Sequence, residues 1–161
     1  MDKLNSDIIK LLTNDARMNE SEIAKMVGSD ETTVKARIKE LEKKGAIIKY
    51  MTVVNEEVLE NTVEALIEVK VSPVRERGFD EIAQYIYQFE EVKSLYLMSG
   101  GYDLAVFIQG STLKDVARFV SEKLSVIDKV LSTATHFILK KYKIEGVTLG
   151  GEEKKRLIVQ P

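Results

Sequence analysis

The sequence predicts an α+β chain in two domains, on three observations. The first fifty residues carry apolar side chains at helical spacing, with cap residues before the runs and glycines after two of them. From Thr62 the rhythm changes to alternation, with Val63, Ala65, Ile67, Val69 and Val71 set against Glu64, Glu68 and Lys70. Two helix-spaced segments then separate three further β-rich runs, so the order is β-α-β-β-α-β, the ferredoxin-like arrangement.

The first helix is expected over residues 5–14, with Asn5 as N-cap and Ile8, Ile9, Leu11 and Leu12 inward. Asp15-Ala16-Arg17 connects it to a second helix opened by Asn19, with Glu22 three residues on in a capping-box pattern. Ile23, Ala24 and Val27 form the apolar side, and Gly28 permits a sharp turn. Asp30 caps the third helix, whose stripe is Val34, Ile38 and Leu41, and Gly45 stops it. The β-rich run 46–54 should begin as a wing strand and continue as the connection between domains. Two helices at a tight turn, a cap and a following strand make a winged helix-turn-helix.

On a wheel of about 100° per residue, turning that stripe inward points Thr32, Ala36, Lys39 and Lys43 outward, flanked by Thr33, Lys35 and Arg37. The face is small near the helix start and basic further along. A helix entering a major groove needs this, because its first residues approach base edges while later cations reach phosphates. Lys39 and Lys43 would hold phosphates, and Thr32 and Thr33 base edges or phosphates. Arg37 either joins them or braces the helix through a carboxylate. The competing reading is an ordinary solvated helix face.

In the second half, residues 55–61 read as a charged linker, and Pro73 ends the first strand. Phe79, Ile82, Ala83 and Ile86 define a helix to about Phe89. Strands over 92–98 and 102–109 flank a Ser99-Gly100-Gly101 hairpin turn. Thr112 and Asp115 cap a helix carrying Leu113, Val116, Ala117, Val120 and Leu124, and residues 130–141 form the last strand. Residues 146–161 read as a flexible tail in which Leu157-Ile158-Val159 could dock as an edge strand. The domains are therefore 1–50, a linker 51–61, 62–145 and the tail. Leu104-Ala105-Val106-Phe107-Ile108 is apolar on both faces, yet two helices cover only one. A second chain is the expected cover, which makes a homodimer.

Net charge is −2, divided as +1 over residues 1–50 and −3 over the rest, so nucleic-acid affinity must come from local placement and from pairing of chains. The chain has no cysteine, which excludes disulfides, zinc fingers and thiol catalysis. The N-terminal segment lacks a signal peptide's apolar core, and no run approaches the roughly 18 apolar residues of a membrane span. A cytoplasmic protein without membrane contact is expected. There is no phosphate-binding or dinucleotide loop and no histidine-based metal cluster, so no catalytic residue, metal or cofactor is expected. His136, the only histidine, reads as a buried or interface residue.

Asn5-x-x-Ile8-Ile9-x-x-Leu12, Asp15-Ala16-Arg17, Glu22-Ile23-Ala24 and Val34-x-x-Arg37-Ile38-x-x-Leu41-x-x-x-Gly45-x-Ile47 resemble the Lrp/AsnC family of leucine-responsive, or feast/famine, regulators. Ser99-Gly100-Gly101-Tyr102-Asp103 resembles that family's Gly-x-(Tyr/Phe)-Asp turn. The resemblance covers about residues 2–145. It implies a transcriptional regulator that binds double-stranded DNA, dimerises through its second domain and often assembles further. It also implies a small effector, commonly an amino acid, held between dimers near the turn. That points to Ser99, Gly100, Gly101, Tyr102 and Asp103, with Thr133 and Thr135 on the last strand. Many members carry an acidic residue where Gly101 stands, and an apolar one at the position of Ser29. Two other functions share this outline. A tetrapyrrole (siroheme-type) decarboxylase would need a pocket lined with basic and His groups, against which one histidine argues. An effector-binding module without DNA affinity is opposed by the basic face from Lys35 to Lys43.

Overall fold

The computed structural model describes residues 2–55, 62–72 and 78–149. The chain divides into two compact units, Met1–Val54 and Asn55–Pro161.

The first unit is three helices, α1 Lys3–Asn14, α2 Glu20–Val27 and α3 Glu31–Lys43. Asp2, not Asn5, caps α1, its carboxylate accepting the Asn5 N–H at 2.8 Å. The helix therefore starts two residues before the expected Asn5. The Asn19–Glu22 capping box forms as expected, with reciprocal bonds of 2.9 and 3.0 Å. Gly28 adopts φ 69°, the left-handed conformation that the turn demands. Beyond α3, Ala46 N–H bonds the Leu41 carbonyl at 2.9 Å and Gly45 N–H that of Glu42 at 3.0 Å, which is a Schellman stop. Ile8, Leu12, Ile23, Ala24, Val34 and Leu41 form the core.

The expected wing strand is absent: residues 46–55 form no strand. A strand needs a partner ladder, and the described residues of this unit are otherwise helices and turns. Ile47 packs on the core, while Ile48 beside it is 91% exposed. Tyr50 ties the segment back to α3, its hydroxyl donating to Glu42 Oε1 at 2.9 Å. Partial burial, with that carboxylate beside it, raises the Tyr50 hydroxyl above its usual range.

The second unit contains β1 Val63–Val71, α4 Gly78–Ile86, β2 Val92–Leu97, β3 Leu104–Gly110, α5 Leu113–Phe119 with a π-helical turn Val120–Leu124, and β4 Val130–Phe137. The four strands make one antiparallel sheet in the order β2-β3-β1-β4. Ala65, Ile67, Val69 and Val71 line one face with Leu104, Val106 and Ile108, against Ile82 and Ile86 of α4 and Val116, Phe119 and Leu124 beyond β3. The registers put Leu66, Ala105, Phe107, Tyr96, Ala134 and His136 on the other face. Tyr96 meets Phe107 edge to face at 6.0 Å. His136 is exposed there, its Nε2 3.4 Å from Glu68 Oε1, rather than buried within the chain.

Several boundaries differ from expectation. Helix α4 ends at Ile86 because Phe89 turns in to meet Tyr85 and Phe119 edge to face at 5.4 and 5.6 Å. Strand β3 starts at Leu104, since Asp103 is occupied in the turn. Strand β4 stops at Phe137, near the level where its partner β1 begins. The expected tail does not begin at Gly146: β5 Lys143–Ile144 pairs with β6 Val147–Thr148 around Glu145 and Gly146, both at positive φ, as a two-residue hairpin turn requires. Pro73, most of the linker and Leu157-Ile158-Val159 lie outside the described residues.

Asn19→Ala removes one acceptor from an orphan N–H of α2. It should lower the stability of the N-terminal unit by about 1 kcal/mol, measured by urea unfolding.

Candidate nucleic-acid interface and turn site

Helix α3 buries Val34 and Leu41 and leaves Thr32, Lys35, Ala36, Lys39 and Lys43 exposed, with Thr33 and Arg37 half-buried. Two of the seven candidates have work within the unit. The Asp30 carboxylate accepts both the Thr33 N–H at 2.8 Å and the Thr33 hydroxyl at 2.6 Å. Those bonds hold the Asp30 carboxyl below its usual range, the hydroxyl contributing most. Thr33 has thus committed its proton but keeps its lone pairs. Arg37 Nη1 lies 3.1 Å from Asp2 Oδ2 and 3.8 Å from Glu40 Oε2, bracing α3 against the start of α1. Glu40 is also held by Lys44 at 2.6 Å, and that ammonium keeps its carboxyl below the ordinary range.

These pairs leave Lys35, Lys39 and Lys43 without an ion pair among the described residues. At i, i+4 and i+8 they form a single row along the helix, ahead of which stand Thr32 and, beside it, Ala36. Sequence reasoning found the residues but not their division into paired and unpaired charges. Asp2 is the missed member, and only its place three residues before Asn5 could have signalled it.

The β2–β3 turn exposes Ser99, Gly100 and Gly101 and half-buries Tyr102 and Asp103. Asp103 is fastened three ways. Its carboxylate accepts the Val71 N–H at 2.9 Å, its N–H donates to the Val69 carbonyl at 3.0 Å, and its carbonyl accepts the Met98 N–H at 2.8 Å. It secures the turn to the end of β1, where the register with β4 shifts between Lys70 and Val71. Thr133 and Thr135 sit on β4 opposite Val69 and Ile67, with β1 between them and β3. Two strand spacings, roughly 10 Å, separate β4 from β3, so one chain does not bring the threonines onto the turn.

Residues 1–48 match the family model for a winged helix-turn-helix DNA-binding domain, and residues 64–148 that for an Lrp/AsnC ligand-binding domain. The chain is 48% identical over 159 residues to the HTH-type transcriptional regulator YugG of Bacillus subtilis, covering 97% of this chain and 96% of that one. It is 35% identical over 143 residues to the HTH-type regulator LrpA of Pyrococcus horikoshii, covering 89% and 99%. Among solved structures, a Neisseria meningitidis transcriptional regulator in complex with L-Met aligns with a TM-score of 0.74 at 22% identity, over 89% of this chain and 93% of that one. Escherichia coli AsnC aligns at 0.72 and 21%, over 89% and 95%. At that identity the structures establish the shared fold.

Asp103→Ala leaves the half-buried Val71 N–H without its acceptor. The C-terminal unit should lose about 1–3 kcal/mol in thermal or urea unfolding, and Asp103→Asn, which keeps an acceptor, should lose less.

Proposed function

The chain belongs to the Lrp/AsnC family of transcriptional regulators, and on that premise we propose that α3 is its DNA-reading helix, presented twice by a homodimer and modulated by an amino acid. The observation that carries the DNA reading is the row Lys35, Lys39 and Lys43, without an ion pair among the described residues, on a helix whose other basic residue, Arg37, and whose C-cap, Lys44, are held by carboxylates. Thr32, Ala36 and the lone pairs of Thr33 face base edges, the lysines hold phosphates, and Arg37 positions the helix. Residues 1–50 are then the DNA-binding domain, 51–61 the linker and 62–145 the dimerisation and effector domain. No described helix is long and apolar enough to cross a membrane, in keeping with a cytoplasmic regulator, and the two relatives named above are HTH-type transcriptional regulators.

The sheet face bearing Leu66, Ala105, Phe107 and Tyr96 supports the dimer, since Tyr96 stands 54% exposed on it. Larger assemblies would bring Thr133 and Thr135 of one chain toward residues 99–103 of another. The Neisseria structure binds L-Met, which supports an amino acid as effector at Ser99, Gly100, Gly101 and Tyr102. With Gly101 in place of an acid and Asp103 engaged by Val71, the ligand's ammonium would be met by backbone carbonyls or by the threonines.

Three lysines per chain amount to about six phosphate contacts in a dimer, so log K should fall against log salt with a slope near −5. Lys39→Ala or Lys43→Ala should flatten that slope by about two units per dimer and weaken specific and random DNA alike. Unchanged slopes in a salt series of gel shifts would remove the lysines from the interface, and a monomer in sedimentation would remove the dimer.

A panel of amino acids should include at least one that raises the melting temperature of the intact protein. A shift with none of them would remove the effector.

A further inference from the structure

A cleft of approximately 540 Å³ opens at the end of the sheet opposite the β2–β3 turn. Register fixes its place: Gly110 on its wall pairs with Val63, the first residue of β1, whereas Asp103 bonds the last. Its floor is apolar, made by Ile108, Val116 and Phe119, each almost completely buried. Its rim is charged. Lys123 Nζ lies 2.5 Å from Glu91 Oε1 and over the rings of Phe89 and Phe119 at 5.2 and 5.9 Å. Most of the lining side chains are polar or charged, so the cleft suits a small charged ligand rather than an apolar one.

Two opposite charges on this rim do not pair with each other. Arg118 donates from Nη2 to Asp115 at 3.2 Å, and its remaining N–H groups are uncommitted among the described residues. Asp115 is itself engaged in capping α5 through Thr112. Glu122 makes no hydrogen bond or ion pair among the described residues. Base before acid at i, i+4 is the weaker order for a helical pair. The helix also changes form here, Ser125 N–H bonding the Val120 carbonyl at 2.8 Å in the i→i+5 pattern. Such π turns are rare and recur at functional sites. Gly110 keeps α5 close to the sheet: a Cβ there would lie 3.3 Å from Asp115 Cβ and 3.4 Å from Val116 Cγ2.

We propose that this cleft binds a small zwitterion of the α-amino-acid kind, its carboxylate on Arg118 and its ammonium on Glu122. The site is separate from the turn and goes beyond the effector reading above, because its ligand class follows from the charges of this cleft alone.

The experiment is amide NMR of the full-length, isotope-labelled protein titrated with each standard amino acid at millimolar concentration. At least one should shift the amides of residues 109–111 and 118–123 saturably. Glu122→Gln and Arg118→Ala should each weaken those shifts by about tenfold or more, the scale of one hydrogen bond to a charged group. Shifts at residues 99–103 should be unaffected by either change. Both side chains are at the surface, so the variants' remaining spectra report whether the fold is intact. Shifts confined to residues 99–103 would overturn this proposal and leave the turn site standing. Shifts confined to residues 109–123 would do the reverse. Full-strength binding by the two variants, or shifts at neither place, would also overturn it.

Discussion

Strand β1 is hydrogen-bonded along both edges, to β3 on one side and β4 on the other, and the C-terminal unit follows from that. A doubly paired strand has its backbone satisfied and can only differ from face to face. On one face Ala65, Ile67 and Val69 are fully buried under the helical layer. Each large apolar side chain buried in this way contributes about 1.5–3 kcal/mol. The opposite face mixes Leu66 with Glu64, Glu68 and Lys70, and its apolar content comes mainly from Ala105, Phe107 and Tyr96 on the two strands beyond. Both helices are committed to the first face. In the proposed dimer a second chain would cover the other face, and the same pairing would supply a second DNA-reading head. Tethering two weak heads multiplies affinity without adding a contact to either.

That multiplication suits a chain of net charge −2. The N-terminal unit does not spread positive charge broadly; it spends carboxylates selectively. Asp2 and Glu40 occupy Arg37, and Glu40 holds Lys44. Exposed pairs of this kind add little stability. Their effect is positional, since they fix the guanidinium against α1 and leave the outward row to lysines, compact point charges on flexible stems that would suit phosphates in the proposed DNA reading.

The local chemistry of the fold was legible in the sequence, and its long-range bookkeeping was not. Both capping boxes, Asn19–Glu22 and Thr112–Asp115, form because donor and acceptor stand three residues apart in the chain. The stripe of α3 and the alternation of β1 are equally local. Asp2 and Asn5 each stand before a helical run with suitable chemistry, so spacing alone does not choose the cap. Residues 46–54 have the β-branched composition of a strand, but such propensity expresses fit to a neighbouring strand, and the described residues of their unit include none. The Val120–Leu124 turn reads as ordinary helix because one extra residue per turn leaves no mark on composition. Asp103 reads as a turn residue, while its carboxylate serves a backbone N–H 32 residues away. Of the candidate sites, the outward lysines were visible, and the charges that free them or occupy Arg37 were not.

The two ends of β1 also differ in what they can transmit. At the C-terminal end, Asp103 ties the β2–β3 turn to Val69 and Val71 with three short bonds around a register shift. A ligand at the proposed turn site would act on a fastened corner, and its influence would pass through whichever chains share the site. At the N-terminal end, Val63 pairs with Gly110 directly after the linker, and the cleft beyond Gly110 is walled by a wide helical turn and by Glu122, which has no ion pair among the described residues. A ligand at that end has the shorter covalent path to the DNA-binding domain. Coupling between any effector and DNA must be reciprocal, so an end of β1 that carries regulation is one whose ligand affinity changes when operator is bound. On the two proposals above, a ligand at the turn would act on assembly and a ligand at the cleft on the chain's own entry into β1.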